Sequence, residues 1–364
     1  MSKQPETTHA RYLPRLLAEV FLAGTAAYIL VGVLLPAPSI DSGNHGRGPD
    51  KFCRTASYRK NVLKLIKEAP FAGLFADLRN QTKFEASGVA YDASSDSYLA
   101  VFDSSMSVAR FDDSFEFRGP GNVLIGEREM ESQFEGISPY DTERNQWLLL
   151  AEAVPGDGDG QWYPEVTLAQ FHAGEDSSYD VVERCRVDFP LTHENKGFES
   201  IIYLPEKELL LGLCEGNWCE GGKRGRDKGH GKIVVSQLTR DEGCSWEVVD
   251  MLDVPRVADF LDYSAMAIRE GKMAVLSQED AAVAIVDFDV DALKFGEEAA
   301  GVVMHLPRDV GCNVVFCNAE GFAFIDADRF MIVSDKAKSK QDVACLPHDQ
   351  SVAIFSVPSG TMYP

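Results

Sequence analysis

The chain reads as a succession of short apolar runs separated by polar turns. Residues 195–219, NKGFESIIYLPEKELLLGLCEGNWC, show the unit. Glu199 and Ser200 lead into an apolar run over 201–204, Pro205-Glu206-Lys207-Glu208 turns the chain, and a second run over 209–213 ends on Cys214-Glu215. Runs this short, bounded by turn residues, predict strands rather than helices. In the resulting hairpin Glu199, at the start of one strand, lies beside Glu215, at the end of the other.

The same plan recurs in ASGVAYDASSDSYLAVFD (86–103), FEGISPYDTERNQWLLLAE (134–152), FESIIYLPEKELLLGLCE (198–215), YSAMAIREGKMAVLSQ (263–278) and AEGFAFIDADRFMIVSD (319–335). A third apolar run follows each copy, over 108–111, 166–171, 233–238, 283–288 and 352–357, and most copies have room for a fourth, as at 246–252. Four-stranded units repeating every fifty residues or so predict an all-β fold, a β-propeller. Five copies predict five blades; a sixth, divergent blade built from residues 52–83 is the alternative. The last copy runs out after three strands. A propeller must close its ring to bury every sheet, so a strand from the segment before Glu85 is expected to complete that blade. The expected organisation is an N-terminal signal peptide or membrane anchor (1–38), a linker and closing segment (39–84), the propeller (85–358) and a tail (359–364).

The N-terminal assignment rests on the basic residues Lys3, Arg11 and Arg15 followed by the uncharged, apolar FLAGTAAYILVGVLL at 21–35 and then Pro-Ala-Pro-Ser. A secretory signal has this layout, and a tilted membrane-spanning helix needs little more length. Glu19 and the lack of an Ala-x-Ala site favour an anchor that is not cleaved. Either way the propeller is expected on the extracytoplasmic side, secreted or membrane-anchored. Residues 57–69 carry Tyr58, Val62, Leu65 and Ile66 at helical spacing before Pro70, so a short helix or the closing strand fits there. Asn80-Gln81-Thr82 is a glycosylation sequon.

The formal net charge of −22 argues against a sequence-independent nucleic-acid binder and fits solubility and cation binding equally well. Eight cysteines, all after the apolar segment, suit disulfides in an oxidising compartment. Cys214/Cys219 and Cys312/Cys317 share a Cys-x4-Cys spacing and are the expected local pairs. A four-thiolate zinc site would use the same residues without the usual knuckle spacing, and inert buried thiols in a cytosolic chain are the remaining reading.

The repeat decides which side chains meet. In a propeller the start of each first strand and the end of each second strand share one face. Ser87 is thereby paired with Asp103, Glu135 with Glu152, Glu199 with Glu215, Ser264 with Gln278, and Glu320 with Asp335. Seven carboxylates would ring one mouth of the channel, where like charges repel strongly. Raised pKa values, a neutralising cation from a loop, or a bound metal would relieve them. Oxygen ligands without clustered His or Cys point to calcium. The alternative is that these residues merely bond backbone N–H groups of neighbouring blades.

Three long loops are expected on that face. Residues 154–165 are acidic, and Asp157-Gly158-Asp159-Gly160 is an incomplete calcium loop. Residues 216–231 are basic and glycine-rich, with Lys223, Arg224, Arg226, Lys228 and His230, and residues 336–349 open with Lys336. Lys223, Arg224, Arg226 and Lys336 are the anion-binding candidates. No Gly-x-Ser-x-Gly or His-Glu-x-x-His motif is present, which leaves His193 and His230 as scattered acid–base candidates.

Glu135-Gly136, Glu320-Gly321 and Ser87-Gly88, with Asp or Glu closing the second strand, resemble the SdiA-regulated propellers and the related esterase-like phytase propellers. Glu199-Ser200 and Ser264-Ala265 depart from that pattern. The resemblance spans nearly all of the globular part. It implies a propeller behind an N-terminal membrane segment and, through the phytase-like name, calcium-assisted phosphoester hydrolysis. The expected function is binding of a small anionic ligand at the loop-rich mouth through calcium. The enzymatic alternative has Glu135, Glu199 and Glu320 holding a metal that activates water while Lys223, Arg224 and Arg226 bind phosphate. A monomeric scaffold that binds another protein by its short-loop face is the third reading. No motif decides between binding and hydrolysis.

Overall fold

The computed structural model describes residues 51–78, 81–126, 132–156, 158, 160–172, 178–241, 243–296 and 301–358. The apolar segment 21–35, the linker before residue 51, Asn80 of the sequon, Asp157, Asp159 and the tail lie outside the described residues. Among the described residues no helix is long and apolar enough to cross a membrane.

The described residues open with a 3-10 turn at Lys51–Arg54, a helix at Ala56–Asn61 capped by the Thr55 hydroxyl, and strand β1 (Lys64–Pro70). The helical spacing and the closing strand read from the sequence thus sit side by side. A first meander follows: β2 (Ala86–Asp92), β3 (Ser97–Phe102), β4 (Ser105–Phe111) and β5 (Val123–Ile125). The next is β6 (Phe134–Asp141), β7 (Gln146–Pro155), β8 (Trp162–Phe171) and β9 (Tyr179–Val187). A third is β10 (Phe198–Leu204), β11 (Leu209–Cys214), β12 (Lys232–Thr239) and β13 (Ser245–Asp253). These two meanders are joined edge to edge by a short parallel pairing, Ser245 with Arg186 and Trp246 with Val187. The fourth is β14 (Ala265–Arg269), β15 (Lys272–Ser277) and β16 (Ala282–Asp289), with β17 (Lys294–Phe295) and β18 (Gly301–His305) both on β16. The last is β19 (Ala319–Phe324), β20 (Arg329–Ser334) and β21 (Ser351–Ser356), and β1 completes its sheet by pairing antiparallel with β21.

The first strands of the meanders touch one another in a closed circuit, β2 to β6, β10, β14, β19 and back to β2. A ring of sheets with their first strands inward is a β-propeller. Apolar faces of neighbouring sheets fill the space between them. Phe71, Phe84, Phe102 and Phe111, for example, pack where the sheet of β2 meets that of β19, with Phe71 edge-on to Phe102 at 5.3 Å.

Glycines set how tightly the inner strands approach. A Cβ on Gly88 would lie 2.9 Å from the Glu135 carbonyl oxygen and 3.0 Å from the Gly136 Cα. One on Gly321 would lie 3.0 Å from the Val89 nitrogen. Where Ser200 and Ala265 stand in place of glycine, a hydroxyl of Ser200 or of the adjacent Ser264 makes the joint. The Ser200 Oγ accepts the Met266 N–H at 3.2 Å, and the Ser264 Oγ donates to the Ala319 carbonyl at 2.9 Å.

Four disulfides pair all eight cysteines: Cys53–Cys312, Cys185–Cys244, Cys214–Cys219 and Cys317–Cys345. The Cys214–Cys219 pair is as expected; a Cys312–Cys317 pair is not formed. Cys312 sits in a tight turn on a left-handed backbone, its N–H donating to the Asp309 carbonyl, and meets the N-terminal turn Lys51–Arg54. Cys317 instead meets the 3-10 turn Val343–His348, which pins loop 336–349 back on its sheet. Sequence spacing bounds reach, not direction. With no free thiol, the four-thiolate zinc reading is also overturned. The disulfides suit an oxidising, extracytoplasmic environment. Cys53–Cys312 ties the segment leading to β1 across 259 residues, the kind of long closure that most restricts an unfolded chain.

Gly88→Ala is expected to destabilise the protein by about 1–3 kcal/mol, because backbone rather than a flexible side chain must yield. Gly121→Ala, with nothing within 4 Å of the new methyl, is expected to be neutral or stabilising by up to about 1 kcal/mol. Urea unfolding of the two variants checks the contrast.

Candidate functional site

The register explains how the carboxylates reach the channel. In four meanders the pairing skips a residue at the start of the first strand: Ala86–Phe102 then Gly88–Val101, Phe134–Ala151 then Gly136–Leu150, Phe198–Cys214 then Ser200–Leu213, and Ala319–Ser334 then Gly321–Val333. Each skip is a β-bulge, and the extra residues are Ser87, Glu135, Glu199 and Glu320. A bulged residue is freed from the ladder and its side chain is re-aimed. Just past the end of the first two strand pairs, the backbone N–H of Asp103 donates to the Glu85 carbonyl at 2.9 Å and that of Glu152 to Gln133 at 3.2 Å. In the same way Glu215 donates to Gly197 at 3.1 Å and Asp335 to Asn318 at 2.9 Å. The fourth sheet has no such skip, and there Gln278 rather than Ser264 reaches the channel.

These residues line a cavity of about 340 Å³ that holds all seven expected carboxylates, Asp103, Glu135, Glu152, Glu199, Glu215, Glu320 and Asp335. Gln133, Asn195, Gln278, Lys196 and Lys338 complete its wall. Glu135 and Glu320 are buried at 9% and 8% exposure. Oxygens of Glu152, Glu199 and Glu215 come within 4.8 Å of one another. The Lys196 ammonium donates to Glu215 Oε2, and the Gly197 N–H donates to Glu152 Oε1 at 3.0 Å. Gln278 Nε2 donates to Glu320 Oε1 at 2.7 Å, and Lys338 Nζ reaches the Gln278 Oε1 at 3.4 Å.

One of the foreseen ways to relieve the crowding is visible, and the surroundings favour a second. The first is a cation from a loop, Lys196 on Glu215. The second is protonation. Burial, reinforced by neighbouring carboxylates, holds Glu135 and Glu199 well above the usual carboxylate range. Burial and then Asp335 do the same to Glu320. Burial pushes Glu152 up to about 7, against the Gly197 N–H that pulls it down. Burial likewise takes Asp335 to about 6, opposed by the Lys336 N–H. Lys196, despite burial, is raised by Glu215.

The donor chemistry fits a hard cation. Oxygens bound to calcium at about 2.3–2.6 Å lie at most about 5 Å apart, which the Glu152, Glu199 and Glu215 oxygens already satisfy. Lys196 takes only one oxygen of Glu215. A cluster of Glu183 with Cys185 and Cys244 offers no such site, because both sulfurs are in a disulfide.

The four anion-binding candidates lie elsewhere. Arg224 pairs with Glu220 at 2.8 Å, Arg226 makes a two-pronged pair with Glu279, and Lys336 stands 3.9 Å from Glu85. Lys223 is exposed, and none of the four lines the acidic cavity. His230 stacks on Trp218 at 3.9 Å, and His193 packs against Gly221. The cations that do reach the cavity are Lys196 and Lys338. Lys196 had a signal in the sequence, since it directly precedes the Gly197 whose carbonyl holds Glu215. Lys338 had none, because its reach depends on how loop 336–349 folds back.

The raised groups give the pH dependence a definite sign. Between pH 5 and 8 the folded protein binds more protons than the unfolded chain, so stability must fall as pH rises through the folded pKa values. In chelator the thermal midpoint is expected to drop from pH 5 to pH 8, and Glu199→Gln, which removes one of the charges, is expected to flatten the drop.

No family model matches this chain and no curated protein matches it, so the SdiA-regulated and phytase-like resemblance rests on the motifs quoted above. Solved structures do align along most of its length. The PQQ-bound aldose sugar dehydrogenase of Streptomyces coelicolor aligns over 80% of this chain and 98% of its own, at 11% identity and TM-score 0.45. A luciferin-regenerating enzyme covers 81% and 96%, at 10% identity and 0.46. The glutaminyl cyclase of Myxococcus xanthus covers 82% and 98%, at 11% identity and 0.41. At this level the likeness carries no argument about what the chain binds or does.

Proposed function

We propose that the chain is a five-bladed, extracytoplasmic β-propeller that binds a calcium ion between Glu152, Glu199 and Glu215, and through it a small anionic ligand. The observation that carries this reading is the convergence of the three carboxylates in a channel mouth ringed by four more. That much negative charge in a confined space is stable only when protons or a cation neutralise it. At neutral pH calcium supplies the neutralisation that protons supply in acid.

Glu135, Glu320, Asp103 and Asp335 form the second tier of the ring, able to hold water or further cation ligands. Lys196 and Lys338 flank the cavity, and they rather than Lys223, Arg224, Arg226 and Lys336 are placed to meet an anion that sits on the metal. The N-terminal segment 21–35 would export or tether the domain.

Calcium at pH 7 is expected to raise the thermal midpoint by several degrees, with magnesium weaker because it demands a tighter octahedral shell. Glu199→Gln is expected to weaken calcium binding at least tenfold in calorimetric titration. Unchanged midpoints with calcium, or unchanged affinity in the variant, would sink the reading. Chelator-sensitive release of p-nitrophenol from p-nitrophenyl phosphate, lost in Glu199→Gln, would extend binding to hydrolysis.

A further inference from the structure

The same inner strands that place carboxylates at one end of the channel line a second chamber at their other end. It measures about 520 Å³ and is walled by residues 89–91, 137–139, 201–204, 266–269 and 322–325. The two spaces are divided by the layer where the inner strands approach most closely. There Gly88 faces the Glu135 carbonyl, Gly136 faces the Ile201 nitrogen, and Gly321 faces Gly88 and Val89.

The chemistry of the second chamber is the reverse of the first. Its apolar lining is partly open at Pro139, Ile202, Ile268, Phe324 and Ile325, while Ile201, Met266 and Phe322 are buried behind it. Ser138 is already engaged, its Oγ accepting the Tyr203 N–H at 2.9 Å. Among the described residues no carboxylate lines the chamber, although the chain carries 57 acidic residues. Its one charged lining residue is Arg269. Arg269 Nη1 donates to the Ile325 carbonyl at 2.6 Å and its Nε to the exposed Glu270 at 3.2 Å. These two bonds hold the guanidinium beside the chamber and engage two of its five donors. Tyr91 and Tyr203 add amphipathic rings.

We propose that this chamber is a second binding site, for a small amphipathic anion with an aromatic or aliphatic body and one acidic group. Its volume falls within the range of small-molecule pockets, which are mostly apolar with a few convergent polar groups. The apolar body would cover the half-buried Ile202, Ile268 and Phe324, and the acid would meet Arg269 through a charge-assisted hydrogen bond. Calcium and this ligand would occupy opposite ends of one channel.

The test uses two fluorescent probes on the folded protein. One is 8-anilinonaphthalene-1-sulfonate, an aromatic anion; the other is N-phenyl-1-naphthylamine, its uncharged counterpart. Both are expected to bind saturably at one site. Ala267→Trp, which fills the chamber from its wall, is expected to abolish both, and Ala267→Leu serves if the larger residue prevents folding. Arg269→Gln is expected to weaken the sulfonate at least tenfold and the amine less than twofold. Glu199→Gln is expected to leave both probes unchanged, which separates this site from the metal site. Non-saturable binding, or binding indifferent to both Ala267 variants, overturns the site. Equal loss of both probes in Arg269→Gln overturns the assignment of an anion.

Discussion

The close approach of five inner strands is the constraint from which the rest of the architecture follows. At Gly88, Gly136 and Gly321 one strand's backbone lies against its neighbour's with no room for a Cβ between them. In four of the five sheets the second residue of the inner strand leaves the ladder as a bulge, and three of those four residues, all but Ser87, are glutamates. Ring closure and the collection of charge are therefore one event. Tightening the ring draws Glu135, Glu199 and Glu320 toward a common axis.

That arrangement is costly in the absence of a counter-charge, and the surroundings are organised around the cost. Lys196 neutralises Glu215, the Gly197 amide steadies Glu152, and Gln278 donates to Glu320. Glu135, Glu199 and Asp335 keep their protons to higher pH than usual. The basic residues of loop 216–231 do not relieve the ring; they pair locally, Arg224 with Glu220, Arg226 with Glu279 and Lys228 with Asp280. Those pairs fasten the loop to its own and the next sheet and leave the channel acidic. The opposite end of the channel, lined by the far halves of the same strands, carries no carboxylate at all among the described residues.

Much of this was legible in the sequence because it depends on local pairing. Hairpin register places Glu199 beside Glu215 whatever the rest of the chain does, and repeating the hairpin brings seven carboxylates together. What depended on how loops fold back was not legible. Cys312 and Cys317 are five residues apart yet turn toward Cys53 and Cys345, because the partners are set by a tight turn and by a loop returning across its sheet. Lys338 reaches the cavity by the same returning loop. Ser200 and Ala265 stand where the pattern has glycine without breaking the ring, because the hydroxyls of Ser200 and of Ser264, next to Ala265, bridge to the next strand. The bulges themselves were invisible, since each falls at the second residue of its strand and leaves too short a run before it for a phase shift to show.

The central claim is that the converging carboxylates form a cation site, and an anomalous difference map tests it most directly. Crystals grown at pH 7 in calcium, measured at long wavelength, are predicted to show a peak coordinated by Glu152, Glu199 and Glu215 at about 2.3–2.6 Å. A map with no peak there, at full calcium occupancy elsewhere in the same crystal or with the three carboxylates turned away from one another, would contradict the account.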